Sequence, residues 1–366
     1  MIRINRDRFT AIRSLVLAGL FAISLMASTG VQASTPTYSL TDLGALSGDS
    51  KSVAFGLNDG GQAVGDSSNP TAAIATLFSN GKAISLGTLG GDVSLATSIN
   101  SVGQITGRST IPGETQFHAF LYSNGVMQDI NSASLFPAGT YAYGINKSGQ
   151  VVGQGLVTSS EFHAFLYTGG QMMDLGTFPG GIQAFATAIN DAGQVVGTSD
   201  GTIVISKKTT QYFSHAFLYV NGRMVDLGTP AGTTASQATA INGNGQIVGV
   251  IFFSSEPTHA ALYSNGVWTD LGAFPGASST QATGINSLGQ IVGTAFFPQV
   301  SYNPPIPGKH VPFIVSNGAL VDLNTLIPTN TGFTLTDALG INGSGQIVCD
   351  AKNSSGITHA VLLTPK

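Results

Sequence analysis

The sequence predicts an all-β fold, a seven-bladed β-propeller in which each blade has four antiparallel strands. Three observations predict it. A unit of about 45 residues repeats along the chain, each unit contains four short strand-like segments, and the last unit lacks a fourth strand that the beginning of the chain supplies. Helices are not expected, because no segment after the leader shows a sustained apolar period of about 3.6 residues.

The repeat is defined by the pattern Asn-x-x-Gly-Gln, which occurs seven times. Successive asparagines lie 42, 46, 44, 52, 44 and 56 residues apart, and a period in this range indicates a repeat architecture. The seven asparagines are Asn58, Asn100, Asn146, Asn190, Asn242, Asn286 and Asn342. We place each of them at the first position of a tight turn whose last position is glycine.

The fourth unit shows how one repeat divides into four strands. Ala184 to Asn190 is a short β-prone run, and after the turn Gln194 to Gly197 forms a second strand. His215 to Tyr219 forms a third, and Asn221-Gly222, a strong hairpin signal, leads to a fourth at Arg223 to Leu227. Four strands joined by tight turns are typical of a propeller blade. A parallel β-helix, the main alternative, would not use two tight reversals in each repeat.

The two ends of the chain predict that the ring closes. The seventh unit stops after its third strand, His359 to Leu363, whereas Tyr38 to Gly44 carries the Asp-Leu-Gly of the other fourth strands. An N-terminal strand that completes the last blade leaves no open sheet edge in the ring. We therefore expect residues around Leu40 to pair with those around Val361.

The three recurring motifs also carry a family resemblance. Units of the form Ala-x-x-Ile-Asn-x-x-Gly-Gln-Val-Val-Gly, His-Ala-Phe-Leu-Tyr and Asp-Leu-Gly-Thr resemble the extracellular His-Ala-Phe (HAF) repeat family of bacterial proteins. The resemblance covers nearly all of the chain after the leader. It implies an extracellular, propeller-like protein and no particular reaction.

Residues 1–33 are predicted to be a signal peptide. Four arginines precede an apolar run from Leu15 to Ala27, and Val31-Gln32-Ala33 before Ser34 suits cleavage. The apolar run is too short for a relaxed membrane span, although an uncleaved anchor is the alternative. We expect a single propeller domain over residues 34–366, secreted or periplasmic, with no membrane span after cleavage.

The amino-acid composition limits the classes of partner that the protein is expected to bind. Charged residues make up 9% of the chain, and without the leader 10 basic and 17 acidic residues remain, a net charge of about −7. Lys207-Lys208 is the one basic pair, so nucleic acid is not an expected partner.

The single cysteine, Cys349, excludes an intramolecular disulfide. It replaces a second-strand glycine, and we expect it to be a buried small residue. We expect a monomer.

Histidine and aspartate recur at fixed positions, which favours structural roles. Five histidines share one third-strand register, and a sixth, His310, is displaced by one residue. The five are His118, His163, His215, His259 and His359, and the recurrent fourth-strand aspartates are Asp42, Asp129, Asp174, Asp226, Asp270 and Asp322. Equivalent positions on different blades are too far apart to share a metal ion, and no loop has calcium-binding spacing. We expect the aspartates to cap backbone amides, and we expect no metal, cofactor or catalytic residue.

The candidate site is the face that carries the long loops. Length variation falls in the second-to-third and fourth-to-first connections, which share one face of a propeller, and binding residues concentrate on loops. The longest are Gly201 to Ser214 and Phe297 to Lys309. The candidates are Asp66, Arg108 and Asp350, which follow second strands of consecutive blades near the channel mouth, and the aromatic residues Phe178, Tyr212, Phe274 and Tyr302. The plainer interpretations are a surface ion pair for the charges and cover for blade edges for the aromatic rings.

Three functional classes remain open. The leading hypothesis is a non-enzymatic binding or interaction module for an extracellular ligand, a glycan or a surface protein. The first alternative is an extracellular hydrolase or lyase with carboxylates at the channel mouth, because a fold does not fix a function. The second alternative is a structural component of a matrix or surface.

Overall fold

The computed structural model describes residues 37–206, 209–299 and 308–366. They form seven antiparallel sheets of four strands each, which confirms the predicted fold class. The predicted signal peptide lies outside the described residues. Within the described ranges no helix is long and apolar enough to cross a membrane.

The strands are numbered β1 to β28 in chain order. The first blade contains β2 (Lys51–Leu57), β3 (Ala63–Ser68), β4 (Ala73–Ser79) and β5 (Lys82–Ser85). The second contains β6 (Ser94–Ile99), β7 (Ile105–Thr110), β8 (Phe117–Ser123) and β9 (Val126–Asp129). The third contains β10 (Thr140–Ile145), β11 (Val151–Leu156), β12 (Phe162–Thr168) and β13 (Gln171–Gly176). The fourth contains β14 (Ala184–Ile189), β15 (Val195–Ser206), β16 (Thr209–Val220) and β17 (Arg223–Asp226).

The remaining three blades complete the ring. The fifth contains β18 (Ala235–Ile241), β19 (Ile247–Phe252), β20 (His259–Ser264) and β21 (Val267–Gly272). The sixth contains β22 (Ser279–Ile285), β23 (Ile291–Phe297), β24 (Lys309–Ser316) and β25 (Ala319–Asp322), followed by a 3-10 turn at Leu323–Thr325. The seventh contains β26 (Phe333–Ile341), β27 (Ile347–Asn353), β28 (Thr358–Pro365) and the N-terminal strand β1 (Tyr38–Asp42).

The ring closes as the sequence predicts. Strand β1 pairs antiparallel with β28, with Leu40 opposite Leu363 and Asp42 opposite Val361. The first strands contact one another from blade to blade around the whole ring, including β26 with β2. Each blade therefore packs against a neighbouring blade on both sides.

The hydrophobic core lies between adjacent blades. The phenylalanine of His-Ala-Phe is buried against small residues; for example, Phe120 packs in one cluster with Ala75 of β4 and Ala96 of β6. Phe120, Phe165, Phe217 and Phe313 have no exposed surface. Large and small side chains thus alternate across each blade interface, which is how tapering sheets reach a dense core.

A glycine in six second strands keeps the first and second strands in close contact. A Cβ atom at Gly197 would meet the backbone carbonyl of Phe185, so only glycine fits. In the seventh blade the position holds Cys349, fully buried as predicted. Its neighbour β26 has two register shifts, whereas each other first strand has one. The extra bulge accompanies the larger side chain.

Candidate ligand-binding face

The repeated histidines pair with the repeated aspartates. In five blades His Nδ1 lies 2.7–3.1 Å from the fourth-strand carboxylate, and the pair His359–Asp42 links the two ends of the chain. The same carboxylates accept backbone hydrogen bonds, as where Gly228 N donates to Asp226 Oδ1 at 2.7 Å. Burial opposes ionisation of Asp226, but hydrogen bonds from His215 and Gly228 outweigh it and lower its pKa. These contacts hold the third and fourth strands together, in agreement with the expected capping role.

The repeated asparagines form a ring of hydrogen bonds on the face opposite the long loops. Each Oδ1 accepts from the backbone N–H of the glutamine four residues later. Each Nδ2 donates to the backbone carbonyl of the asparagine in the next blade, at 2.9–3.2 Å. The sequence analysis explained these residues by their turns alone and missed this ring.

Two of the predicted charged residues, Asp66 and Arg108, are not a surface ion pair. Asp66 is 6% exposed, and burial raises its pKa to about 6 despite the nearby positive charge of Arg108. The Arg108 guanidinium lies over the rings of Phe117 and Tyr141, at 5.4 and 5.3 Å. Its Nε is buried without a hydrogen-bond partner among the residues described. The expectation of a solvated pair is therefore corrected: both groups lie at blade interfaces.

The third predicted charge, Asp350, faces a carboxylate that the sequence analysis missed. Asp350 lies directly opposite Asp337 on the neighbouring strand β26. Its Oδ1 accepts one long hydrogen bond, 3.3 Å, from Ala54 N of the first blade. Burial raises the pKa of Asp350 to about 7, and the charges of Asp337 and Asp66 add to the increase.

These two carboxylates line a cleft of about 790 Å³ between the sixth and seventh blades. His310 Nδ1 contacts Asp337 Oδ1 at 3.0 Å, and Phe296 packs edge-on against the His310 ring at 4.6 Å. The other polar residues that line the cleft are Lys309, Asp322, Asn324, Thr334, Thr336, Lys352 and Thr358. They come from long loops and strand ends on the predicted face.

Two signals in the sequence point to this cleft. Asp337 is the one acidic residue in any of the seven first strands, and His310 is the one histidine displaced from the shared register. The displacement takes His310 away from a fourth-strand partner and towards Asp337.

The four aromatic candidates lie in different environments. Phe178 is 6% exposed and packs on Phe213 at 5.8 Å between ring centres, and Phe274 packs on Phe313 at 6.1 Å. Phe178 therefore offers no free ring to a ligand, whereas Phe274 is half-buried. Tyr212 is 79% exposed. Tyr302 lies outside the described residues.

Tyr212 belongs to a two-stranded ribbon that extends beyond the fourth blade. Strands β15 and β16 have 12 residues each and remain paired as far as Ser206 opposite Thr209. Ile203, Val204 and Ile205 on this ribbon are 52%, 73% and 60% exposed. The long-loop face therefore offers a polar cleft and an apolar ribbon. Across the described ranges no group of three or more His, Cys, Asp or Glu residues is arranged to hold a metal ion.

Comparison with known proteins supports the fold alone. No family model and no curated protein matches the chain. Among solved structures, it is similar to the β-propeller domain of the Trilobed protease from Pyrococcus furiosus, at 11% identity and a TM-score of 0.55 over 87% of this chain and 95% of that chain. It also matches the Pyrococcus horikoshii acylaminoacyl peptidase, at 11% identity and a TM-score of 0.48 over 87% of this chain and 53% of that chain. The chain is a seven-bladed β-propeller.

Proposed function

We propose that this chain is an exported binding propeller that takes a glycan in the cleft between its sixth and seventh blades. The observation that carries the proposal is the cleft itself, about 790 Å³ in volume and lined mainly by polar side chains. Sugar hydroxyls both donate and accept hydrogen bonds, and the cleft supplies carboxylates, threonine hydroxyls and lysine ammonium groups that match them.

The setting of the cleft also favours binding. It interrupts an otherwise regular repeat, because the sixth blade carries a displaced histidine and the seventh an extra bulge. Loops on a rigid scaffold are where ligand sites usually form. Export is supported by the predicted leader and by the resemblance to the extracellular HAF repeat family.

Binding of the mature chain, residues 34–366, to an array of neutral and acidic oligosaccharides tests the proposal, with calorimetry on the glycans that bind. The variant Thr334→Trp places a large ring in the cleft from an exposed position. We expect it to abolish binding, because the ring occupies the volume that a sugar would fill. Thr269→Trp, an exposed threonine on the outer strand of the fifth blade, is the matched control and should bind normally.

A second variant separates the cleft from the ribbon. Replacing residues 203–211 with Asn-Gly joins Thr202 to Tyr212, which already face each other, through a two-residue hairpin turn. Glycan binding should survive this change. Binding lost on shortening the ribbon but kept in Thr334→Trp would instead favour the ribbon as an interaction surface for a protein.

A further inference from the structure

Resting on the proposed glycan site, we propose that Asp337 and Asp350 are catalytic residues that hydrolyse a glycosidic bond of the bound glycan, with Asp350 as proton donor and Asp337 as nucleophile. Glycoside hydrolysis commonly requires two carboxyl groups beside the scissile bond, in different protonation states. The cleft supplies such a pair among groups that bind hydroxyls.

The two residues are neighbours in the sheet, since Asp337 and Asp350 are opposed partners across β26 and β27. Their carboxyl groups have different contacts, because Asp337 contacts His310 of the sixth blade and Asp350 accepts from Ala54 N of the first blade. In retaining glycosidases one carboxylate of such a pair attacks the anomeric carbon directly while the other carboxyl group donates the proton. The assignment of Asp337 as nucleophile therefore implies a double displacement with retention of configuration.

The surroundings of the two carboxyls differ in the way that this chemistry needs. Asp350 is partly buried and accepts one long hydrogen bond, and burial raises its pKa to about 7, so it holds its proton more tightly than an ordinary carboxyl group. Asp337 is fixed by His310 at 3.0 Å. Two titratable groups whose surroundings differ in this way divide into an acid and a base.

The charged groups around Asp350 come from several strands. They are Asp337 on β26, Asp322 on β25, Asp66 on β3, Lys309 and His310 on β24, and Lys352 on β27. The charges of Asp337 and Asp66 disfavour ionisation of Asp350, whereas the hydrogen bond from Ala54 N favours it.

The reaction balances with water as the only co-reactant. Asp350 donates its proton to the glycosidic oxygen as the bond from that oxygen to the anomeric carbon breaks, while Asp337 forms an ester with that carbon. A water molecule then gives a proton to Asp350 and its hydroxyl to the anomeric carbon, which releases Asp337. Both carboxyl groups return to their starting states.

The test uses the glycans that the mature chain binds, together with a panel of nitrophenyl glycosides, and follows both binding and cleavage. Asp350→Asn keeps the oxygen that accepts from Ala54 and matches the shape of the neutral acid, so it should fold and bind. Its cleavage rate should fall by about 10²–10⁴-fold, the usual contribution of acid–base catalysis, with a smaller loss on substrates whose leaving group needs no proton. Asp174→Asn, which changes a fourth-strand aspartate paired with His163 in the third blade, should cleave at the normal rate.

The outcomes separate this inference from the proposed function. Glycan binding by the wild-type chain without cleavage would overturn the catalytic assignment and leave the binding site in place. Cleavage by Asp350→Asn at the wild-type rate, or products of inverted configuration, would also overturn it. Absence of glycan binding would instead remove the proposed function on which it rests.

Discussion

Asn342 Nδ2 donates a hydrogen bond of 3.1 Å to the backbone carbonyl of Asn58, which lies 284 positions earlier in the chain. This bond is the seventh member of the asparagine ring, and it joins the last blade to the first. The asparagine ring therefore contributes to closure of the propeller, together with the pairing of β1 with β28 and the hydrogen bond from Ala54 N to Asp350.

Replacing Asn342 with alanine tests the asparagine ring. The side chain is 4% exposed and bonds to Gln346 as well as Asn58, so its removal leaves buried polar groups without partners. We expect the free energy of unfolding to fall by about 2 kcal/mol, measured by urea denaturation. Asn265→Gly, at an exposed turn with φ of 53°, should change stability little. If Asn342→Ala lowered the free energy of unfolding as little as Asn265→Gly does, the asparagine ring would contribute nothing to stability.

Tyr38→Phe should stabilise the protein. Tyr38 is fully buried, and its hydroxyl has no hydrogen-bond partner among the residues described. Burial raises the pKa of Tyr38 to about 12. Removing an unpaired buried hydroxyl should raise the free energy of unfolding by about 1 kcal/mol, measured by thermal and urea denaturation. A loss of stability would mean that the hydroxyl has a partner in solution, and Tyr263→Phe, at a partly buried site, serves as the comparison.

Gly197→Ala should be strongly destabilising. The new methyl group would meet the Phe185 carbonyl, and it would lie 2.8 Å from the Phe217 ring. Overpacking of this kind costs about 1–3 kcal/mol, and we expect the upper end because backbone must move. Gly243→Ala is the control, since no atom lies within 4 Å of its Cβ position. If Gly197→Ala and Gly243→Ala had the same denaturation midpoint, the close packing of the first and second strands would not limit the residue at position 197.

Asp66→Asn should stabilise the protein at alkaline pH and not at acid pH. The folded-state pKa of Asp66, about 6, is above its ordinary value of 3.8, so the native state holds the proton more tightly than the unfolded state. The stability from this group is full below its ordinary pKa and is lost as pH rises through about 6. Asparagine does not ionise, so at about pH 8 the free energy of unfolding of Asp66→Asn should exceed that of the wild-type protein by on the order of 1–2 kcal/mol.

Urea denaturation of both proteins between about pH 4 and pH 8 measures this difference. Asp92→Asn, at an exposed aspartate, accounts for the change in net charge. A gain for Asp66→Asn that stays constant with pH would contradict the assignment.

The architecture was predictable because each of its determinants is local or repeated. Asn-Gly turns, alternating strands and the misplaced Asp-Leu-Gly at Asp42 are all visible along the chain, and they fix the blades and their closure. The asparagine ring was not predictable in the same way. The tight turn alone accounts for an asparagine at position 342. The hydrogen bond from its side chain to the Asn58 carbonyl forms only after the blades have assembled.

The candidate site could be predicted only in part. The sequence analysis placed Asp66, Arg108 and Asp350 in consecutive blades, but it had no measure of burial, which depends on the next blade. Asp337 was missed because only the position after each second-strand glycine was considered for charges, although Asp337 is the one acidic residue of the seven first strands. Its contact with His310 joins residues of different blades, so it depends on how the sixth and seventh blades pack.

The pairing of β1 with β28 also bears on how the ring is made. Of the described strands, the first to be synthesised bonds to the last, with Ser39 Oγ donating to the carbonyl of Thr364 across 325 positions. Such distant pairing is slow to form, and it cannot begin until β28 has been synthesised. A chain that stops before β28 would leave both β1 and β27 with a free edge, so unfinished molecules would be marked for aggregation or proteolysis.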